Sequence, residues 1–228
     1  MNRRLAQRAL LGCGGFSVAA PLLAATVTWD DGATTPPQLP GDGISWNDPI
    51  NWDTDMAPTG VDHVVLTTEL IKVQDGNAAF AGSLDAGSTN LVINGALTVG
   101  GSFYSNATIT IVGEDDSPNS GAGLTIGGGG TLDGTGEIRL RRTQGPGVNP
   151  AVFSSSGVNP VIHAAEHTIR GEGFLSANLV NNGLIVAEDL DGNPGSILAL
   201  SGTPPSPAPR PAPACGCKGA SRRAPQGG

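Results

Sequence analysis

The chain contains few aromatic residues and few residues that favour helices. Phe, Trp and Tyr together make up only 4% of the 228 residues, and Lys, Glu and Gln are sparse. This composition excludes a large aromatic-rich globule and leaves Val, Ile, Leu and Ala to build a core from thin strands. The 35 glycines and 18 prolines fall just short of the content that marks unstructured low-complexity sequence.

Cysteines and long apolar runs are also scarce. Cys13 lies near the N-terminus, and Cys215 and Cys217 lie near the C-terminus, so the body of the chain has no disulfide framework. After residue 25, no apolar run reaches the roughly 18–20 residues that a membrane helix needs. We therefore expect no membrane span once a signal peptide has been removed.

Basic residues are rare between Asp30 and Asp191. That body contains all 20 acidic residues and only five basic ones, which gives it a net charge of −15. A surface of this sign repels nucleic acid and anionic membranes, and it attracts divalent cations. The charge therefore predicts no nucleic-acid partner.

Residues 1–25 are predicted to be a signal peptide. Three arginines at positions 3, 4 and 8 form a basic start, and Ala9–Ala25 is largely apolar and small, which suits cleavage after Ala25. A buried helix is the alternative interpretation of this segment. The signal peptide predicts a secreted protein, either extracellular or at the cell surface.

Residues 26–62 contain all three tryptophans, among Pro, Gly and Asp. We interpret this Trp-rich segment as an N-terminal cap, because the first coil of a solenoid exposes an apolar end that must be covered. The alternative is a carbohydrate-stacking platform, in which Trp46 and Trp52 present exposed, coplanar faces to pyranose rings.

Residues 63–201 consist of very short apolar runs separated by Gly, Asn and Asp, most clearly in His167–Glu188. Strands this short cannot form a hairpin core alone, but in a coiled chain each strand pairs with its equivalent in the next coil. The predicted fold is therefore all-β, an irregular β-solenoid that most simply forms a right-handed parallel β-helix. The uneven spacing of the runs predicts turns of variable length. A β-sandwich is the alternative.

Residues 202–228 differ from the rest of the chain. They are rich in Pro, Ala and Arg and contain no acidic residue. This composition predicts an extended, disordered tail that belongs to no coil.

Two stretches resemble secreted bacterial β-solenoid surface proteins of the autotransporter-passenger-like and Planctomycete types. The opening GDGISWNDPINWDTDMAPTGVDHVVL resembles their W-s-D-P-x-N-W start, and HTIRGEGFLSANLVNNGLIVAE resembles one of their coils. The resemblance implies a β-solenoid fold and a surface location, and it implies no particular chemistry. The matching residues are Trp46, Asp48, Pro49, Asn51, Trp52, Pro58, Asp62, Val64, Thr168, Ile169, Gly171, Gly173, Asn182, Gly183, Ile185 and Ala187.

The pentapeptide His163–His167, HAAEH, matches the H-x-x-E-H signature of inverted zinc peptidases. That chemistry needs a helix, so that both imidazoles project from one face and the glutamate polarises a bound water. Pro160 and the strand-like residues on both sides leave room for at most one helical turn. We therefore expect His167 to begin a strand and not to bind zinc.

A second candidate metal site lies at residues 189–193, DLDGN. Asp189, Asp191 and Asn193 alternate as oxygen donors around a glycine, like the start of a calcium loop. The bidentate glutamate expected further along an EF-hand loop is missing. The segment is either a solvated turn between coils or a weak calcium site, and we predict no other cofactor.

The sequence gives little support to an enzyme. Glycosidases need two acids about 5–10 Å apart on one face, and no acid here stands in a distinctive motif. Arg139, Arg141 and Arg142 form the basic cluster of the body, and alternate members share a strand face that meets either solvent or an anionic sugar.

We expect a structural or adhesive role without catalysis, at the cell surface or in the extracellular matrix. The expected partners are extracellular polysaccharide or other surface proteins. The alternatives are a polysaccharide lyase or glycoside hydrolase built on a β-helix, and a carbohydrate-binding module.

Overall fold

A computed structural model of the chain describes residues 24–32, 41–113, 121–142, 150–190 and 197–201. Most of the predicted signal peptide and the predicted tail after residue 201 lie outside these described residues. The described residues form nineteen strands and one turn of 3-10 helix, Pro49–Asn51. The strands are β1 (Thr26–Thr28), β2 (His63–Val65), β3 (Leu70–Val73), β4 (Ala78–Ala81), β5 (Ser83–Asp85), β6 (Asn90–Ile93), β7 (Ala96–Val99), β8 (Phe103–Tyr104), β9 (Thr108–Gly113), β10 (Gly123–Gly127), β11 (Thr131–Asp133), β12 (Glu137–Arg142), β13 (Val152–Ser156), β14 (Val161–His163), β15 (Thr168–Gly171), β16 (Gly173–Ser176), β17 (Leu179–Asn181), β18 (Leu184–Ala187) and β19 (Leu198–Leu200).

Every third strand joins the same sheet. Sheet 1 has the order β1-β2-β5-β8-β11-β14-β17, sheet 2 the order β4-β7-β10-β13-β16-β19, and sheet 3 the order β3-β6-β9-β12-β15-β18. From β2 onwards the chain runs through sheets 1, 3 and 2 in turn, and it completes six such coils within the described residues. All pairings between these strands are parallel. The prediction of an all-β parallel solenoid is therefore confirmed, and the sandwich alternative is wrong because sandwiches are antiparallel.

The core forms because alternate residues of each strand point into the coil and stack on the same position of the next coil. In sheet 3, one inward row is aliphatic in all six strands. Its members are buried except for the last, which is partly buried at the end of the stack. The row consists of Ile71, Leu91, Ile109, Ile138, Ile169 and Ile185.

The irregular spacing seen in the sequence arises at one corner of the coil. In the second coil, β6 ends at Ile93 and β7 begins at Ala96, so the turn from sheet 3 to sheet 2 is short. In the third coil, β9 ends at Gly113 and β10 begins only at Gly123, and the fourth coil has a similar insertion. Extra residues at this corner change the coil length and leave the pairing of strands intact.

The described part of the Trp-rich segment packs on the first coil. Strand β1 pairs with β2 at the edge of sheet 1, and Ser45 forms a bridge to Lys72 of β3. Sheet 1 therefore begins one strand before the first coil, which starts at His63.

Candidate functional site

The three tryptophans form one buried cluster at the N-terminal end of the solenoid. The rings of Trp29 and Trp46 both pack edge-on against Trp52, with centroid distances of 4.9 and 5.0 Å and interplanar angles of 81° and 68°. The Trp52 Nε1–H group donates to the carbonyl oxygen of Trp46 at 2.8 Å. Burial and edge-to-face contacts make this cluster a strong source of packing energy.

A polar network beside the cluster holds the loop that carries Trp46. Asp42 Oδ1 accepts hydrogen bonds from the backbone N–H groups of Ile44 and Ser45 and from Asn51 Nδ2, at 2.7–3.0 Å. The Ser45 hydroxyl also donates to the Asp42 carboxylate. Loss of hydration alone would raise the pKa of the largely exposed Asp42 carboxyl group, but the hydrogen bonds from Ser45, Ile44 and Asn51 outweigh this effect and lower the pKa to about 2.

This geometry corrects the interpretation of Trp46 and Trp52 as a carbohydrate-stacking platform. Stacking on sugars needs exposed, coplanar ring faces, whereas these two side chains are 1% and 0% exposed and their planes cross at 68°. Both rings cover the apolar end of the first coil and present no face to a ligand.

The HAAEH segment forms a strand and a turn, with no helix. His163 is the last residue of β14 and His167 directly precedes β15, as expected for a residue that begins a strand. Both side chains are fully buried, with ring centroids 5.5 Å apart. Within the described ranges, no group of three or more His, Cys, Asp or Glu side chains is arranged to hold a metal ion.

The candidate calcium residues are only partly described. Asp189 is exposed after the end of β18, while Asp191 and Asn193 lie outside the described residues. The calcium site therefore stays a prediction.

Sheet 3 contains all five basic residues that lie between residues 26 and 201. Arg139 and Arg170 are register neighbours on its outer face, and Glu137 forms ion pairs with both. Arg170 Nη1 also lies 3.3 Å from Glu188 Oε1. The carboxylates of Glu137 and Glu188 thus offset the charge of the two arginines, which weakens the case for an anionic ligand on this face.

None of the six described strands of sheet 2 carries a charged side chain. Its six strands read AAFA, ALTV, GLTIG, VFSSS, GFLS and LAL. Two register rows point outwards, and we call them together the neutral face. The first row is apolar and consists of Ala78, Ala96, Gly123, Val152, Phe174 and Ala199. The second row is rich in hydroxyl groups and consists of Phe80, Thr98, Thr125, Ser154 and Ser176.

Two aromatic rings stand out from the neutral face towards its two ends. Phe80 on β4 is 45% exposed and Phe174 on β16 is 44% exposed. Between them, the Thr125 and Ser154 hydroxyls hydrogen-bond at 2.8 Å. The face therefore offers both apolar rings and a line of hydroxyl groups to a ligand.

A cavity of about 240 Å³ lies beside Phe174, at the corner between sheets 3 and 2. We call it the Glu172 pocket, because Glu172 lines it together with Arg142, Phe174 and Ile197. Glu172 is only 2% exposed, and its Oε1 atom has no hydrogen-bond partner within the described part of the chain. Buried polar atoms are nearly always paired, so this carboxylate oxygen needs an explanation.

Two glycines allow the backbone conformation on either side of Glu172. Gly171 has φ +115°, and a Cβ atom there would lie 2.0 Å from the Leu140 carbonyl oxygen. A Cβ atom on Gly173 would lie 2.4 Å from the Ala151 carbonyl oxygen. The GEG sequence therefore lets the chain turn the corner close against the preceding coil and places Glu172 in its pocket.

A second cavity of about 240 Å³ lies at the corner between sheets 1 and 3 and is lined by Asn106, Thr135 and Glu137. Glu137 is the one carboxylate among its described lining residues, as Glu172 is in the other pocket. Neither cavity therefore brings together the two acids that glycoside hydrolysis uses.

Comparisons of the chain with protein-family models, with curated proteins and with solved structures found no match. The described part of the chain also contains no helix with the length and hydropathy needed to cross a membrane.

Sequence reasoning missed the neutral face and the Glu172 pocket. The signal for the face was present, since the runs AAFA, ALTV, GLTIG, VFSSS and GFLS all lack charge in a strongly acidic chain. It becomes visible only when every third strand is assigned to one sheet. The pocket depends on the corner geometry of two coils, for which the sequence has no comparable signal.

Proposed function

We propose that the chain is a secreted β-solenoid with a structural or adhesive role at the cell surface or in the extracellular matrix, without catalysis. The observation that carries this proposal is the neutral face of sheet 2. A six-stranded surface without charge is unusual in a chain whose body has 20 acidic and five basic residues. Exposed apolar patches with polar surroundings are typical of binding surfaces.

The architecture supports a scaffold role. Each coil is hydrogen-bonded to its neighbours through three parallel sheets, and the interior is filled by stacked aliphatic rows. Such stacking makes a solenoid stiff along its axis and keeps its outer faces in register over many coils. A stiff support of this kind suits a protein that presents a flat contact surface.

The predicted signal peptide supports secretion. Strand β1 begins at Thr26, immediately after the predicted cleavage position at Ala25, so cleavage there would leave the first strand intact. The two stretches that resemble secreted solenoid proteins point to the same location.

The proposal is tested by incubating the purified full-length protein with extracellular matrix material and with neutral and acidic polysaccharides. We expect the protein to be retained on matrix material, with no release of reducing sugars or unsaturated uronates. Release of either product in proportion to protein concentration would contradict the non-catalytic role and favour a hydrolase or lyase.

A further inference from the structure

We propose that the neutral face and the Glu172 pocket together bind an uncharged, extended β-linked polysaccharide, whose chain lies across the strands of sheet 2. This inference rests on the adhesive role proposed above and names the chemical class of its ligand. Four features support it: the absence of charge on the six described strands, the size of the face, the unpaired Glu172 Oε1 atom, and the spacing of the exposed groups.

The distribution of charge over the surface favours an uncharged ligand. None of the six described strands of sheet 2 carries a charged residue, and Glu172 and Arg142 are the charged side chains among the described lining residues of the adjoining pocket. The body as a whole is strongly acidic, so an anionic polymer would be repelled as it approached. A neutral glycan meets neither repulsion nor a cost for burying an unpaired charge on this face.

The size of the face disfavours a stable protein partner. The six described strands span about 24 Å, and three or four residues along each strand span about 12 Å, which gives a projected area of roughly 300 Å². Stable protein interfaces bury about 800 Å² per partner. A repeating polymer can instead gain affinity from a narrow, flat track that continues from coil to coil.

The unpaired Glu172 oxygen fits a sugar hydroxyl. A buried carboxylate oxygen without a partner among the described residues is costly, and a ligand hydroxyl group that reaches it would satisfy it with a charge-assisted hydrogen bond. Phe174 lines the same pocket with its ring 44% exposed, so its face can cover the apolar C–H surface of the same sugar. The pocket thus combines the two contacts that a pyranose ring needs.

The register of the outer rows fits an extended chain. The hydroxyl groups of Thr98, Thr125, Ser154 and Ser176 repeat once per strand, at spacings of about 4.8 Å. This step is close to the length of one sugar in an extended β-1,4-linked chain. Phe80 and Phe174 are four strand steps apart, about 19 Å, so the rings can contact well-separated sugars of the same chain.

The experiment compares two polymers that share one backbone and differ in charge. Binding of the full-length protein to hydroxyethylcellulose and to carboxymethylcellulose is measured by affinity electrophoresis and calorimetry. We expect measurable affinity for the neutral polymer and none for the anionic one. Equal binding to both polymers, preference for carboxymethylcellulose, or no binding to hydroxyethylcellulose, chitin or xylan would overturn the inference.

Variants locate the site. Glu172→Gln is expected to weaken binding to hydroxyethylcellulose at least about ten-fold, without lowering the melting temperature, because it keeps the shape and removes the charge. Phe174→Ala should weaken binding about five-fold. The matched control is Tyr104→Ala on sheet 1, whose ring is 40% exposed and lies outside the neutral face. Loss of affinity in all three variants, or in none, would contradict the assignment.

Binding of a different partner to the neutral face would give different results in these experiments. Concentration-dependent dimers in light scattering, abolished by Thr98→Glu, would identify a second copy of the chain as the occupant and overturn the polysaccharide assignment. If the protein is retained on matrix material through the neutral face but binds no neutral polysaccharide, the adhesive role stands and the ligand class is wrong. If polysaccharide is bound and degraded, the non-catalytic role fails while the binding surface stands.

Discussion

The imidazole ring of His163 packs edge-to-face against that of His167, with the two planes inclined by 74°. His163 Nδ1 lies 2.5 Å from Asn181 Oδ1, while neither ring nitrogen of His167 has a hydrogen-bond partner among the residues that the structure describes. Burial lowers the pKa of His163. Burial, followed by the charge of His163, also lowers the pKa of His167 to about 4, although Asp133 and Glu137 oppose this shift.

The first prediction concerns pH. Below about pH 6.5 the unfolded chain binds a proton at His167, whereas the folded chain does so only near pH 4. The free energy of unfolding should therefore fall as the pH decreases from about 6.5 to 4, by on the order of 3 kcal/mol from this residue. Above about pH 6.5 its contribution should be constant. Urea unfolding at several pH values measures this slope.

His167→Leu tests the origin of that slope. Leucine fills the apolar site without a titratable group, so the variant should lose the part of the slope that comes from His167 and keep the part that comes from His163. It should be at least as stable as the wild type at pH 7.5. The control is His63→Gln, since His63 lies on the outer face of sheet 1 and bonds Ser83. An unchanged slope in His167→Leu would show that other groups cause the acid sensitivity.

The second prediction concerns the tryptophan cluster. Trp52→Ala removes the ring that both other tryptophans contact, and it should cost about 3–5 kcal/mol of unfolding free energy. Met56→Ala nearby should cost less than about 0.5 kcal/mol, because the Met56 side chain is 66% exposed. Chemical denaturation measures both. Equal stability of the two variants would argue against a capping role for the cluster.

The third prediction concerns Asp42. Its lowered pKa means that the carboxylate stabilises the fold above about pH 4, and that this stability is lost as the pH falls towards 2. Because Asp42 is exposed and water competes for its hydrogen bonds, Asp42→Asn should cost only about 1 kcal/mol at pH 7. The difference between variant and wild type should shrink as the pH falls through 2 and vanish only below it. A difference that persists there would assign the effect to packing.

The fourth prediction concerns Gly171. Alanine at this position requires φ +115° and places its Cβ 2.0 Å from a carbonyl oxygen of the preceding coil. Gly171→Ala should therefore cost at least about 2 kcal/mol. Gly60→Ala is the control, because a Cβ there meets nothing within 4 Å. Thermal unfolding of the two variants distinguishes a specific corner requirement from a general effect of losing a glycine.

Much of the fold could be predicted from the sequence because solenoid stacking is local and repetitive. Runs such as Leu91–Ile93 and Ile109–Ile111 are too short for hairpins, and the first and last residue of each run falls on an inward row of sheet 3. The irregular coil lengths were also foreseen, but the sequence could not place the insertions at one corner. That placement depends on which sheet each strand joins.

The candidate site was harder to predict, because its residues become neighbours only through stacking. Phe80, Thr125 and Phe174 are far apart in sequence and lie on one face only through the register of six strands. The three tryptophans are conspicuous in an aromatic-poor sequence, yet Trp46 and Trp52 are buried in the structure. Composition cannot distinguish an aromatic ring that closes a core from one that contacts a ligand.

The most direct test of the adhesive account is the retention of two charge variants on extracellular matrix material. Thr98→Glu introduces a charge into the neutral face, and Thr110→Glu introduces the same charge on the outer face of sheet 3, also at a half-buried threonine in a strand interior. With both variants folded as judged by circular dichroism, we predict that Thr98→Glu loses most of its retention and Thr110→Glu keeps it. Equal retention of the two variants would contradict adhesion through the neutral face.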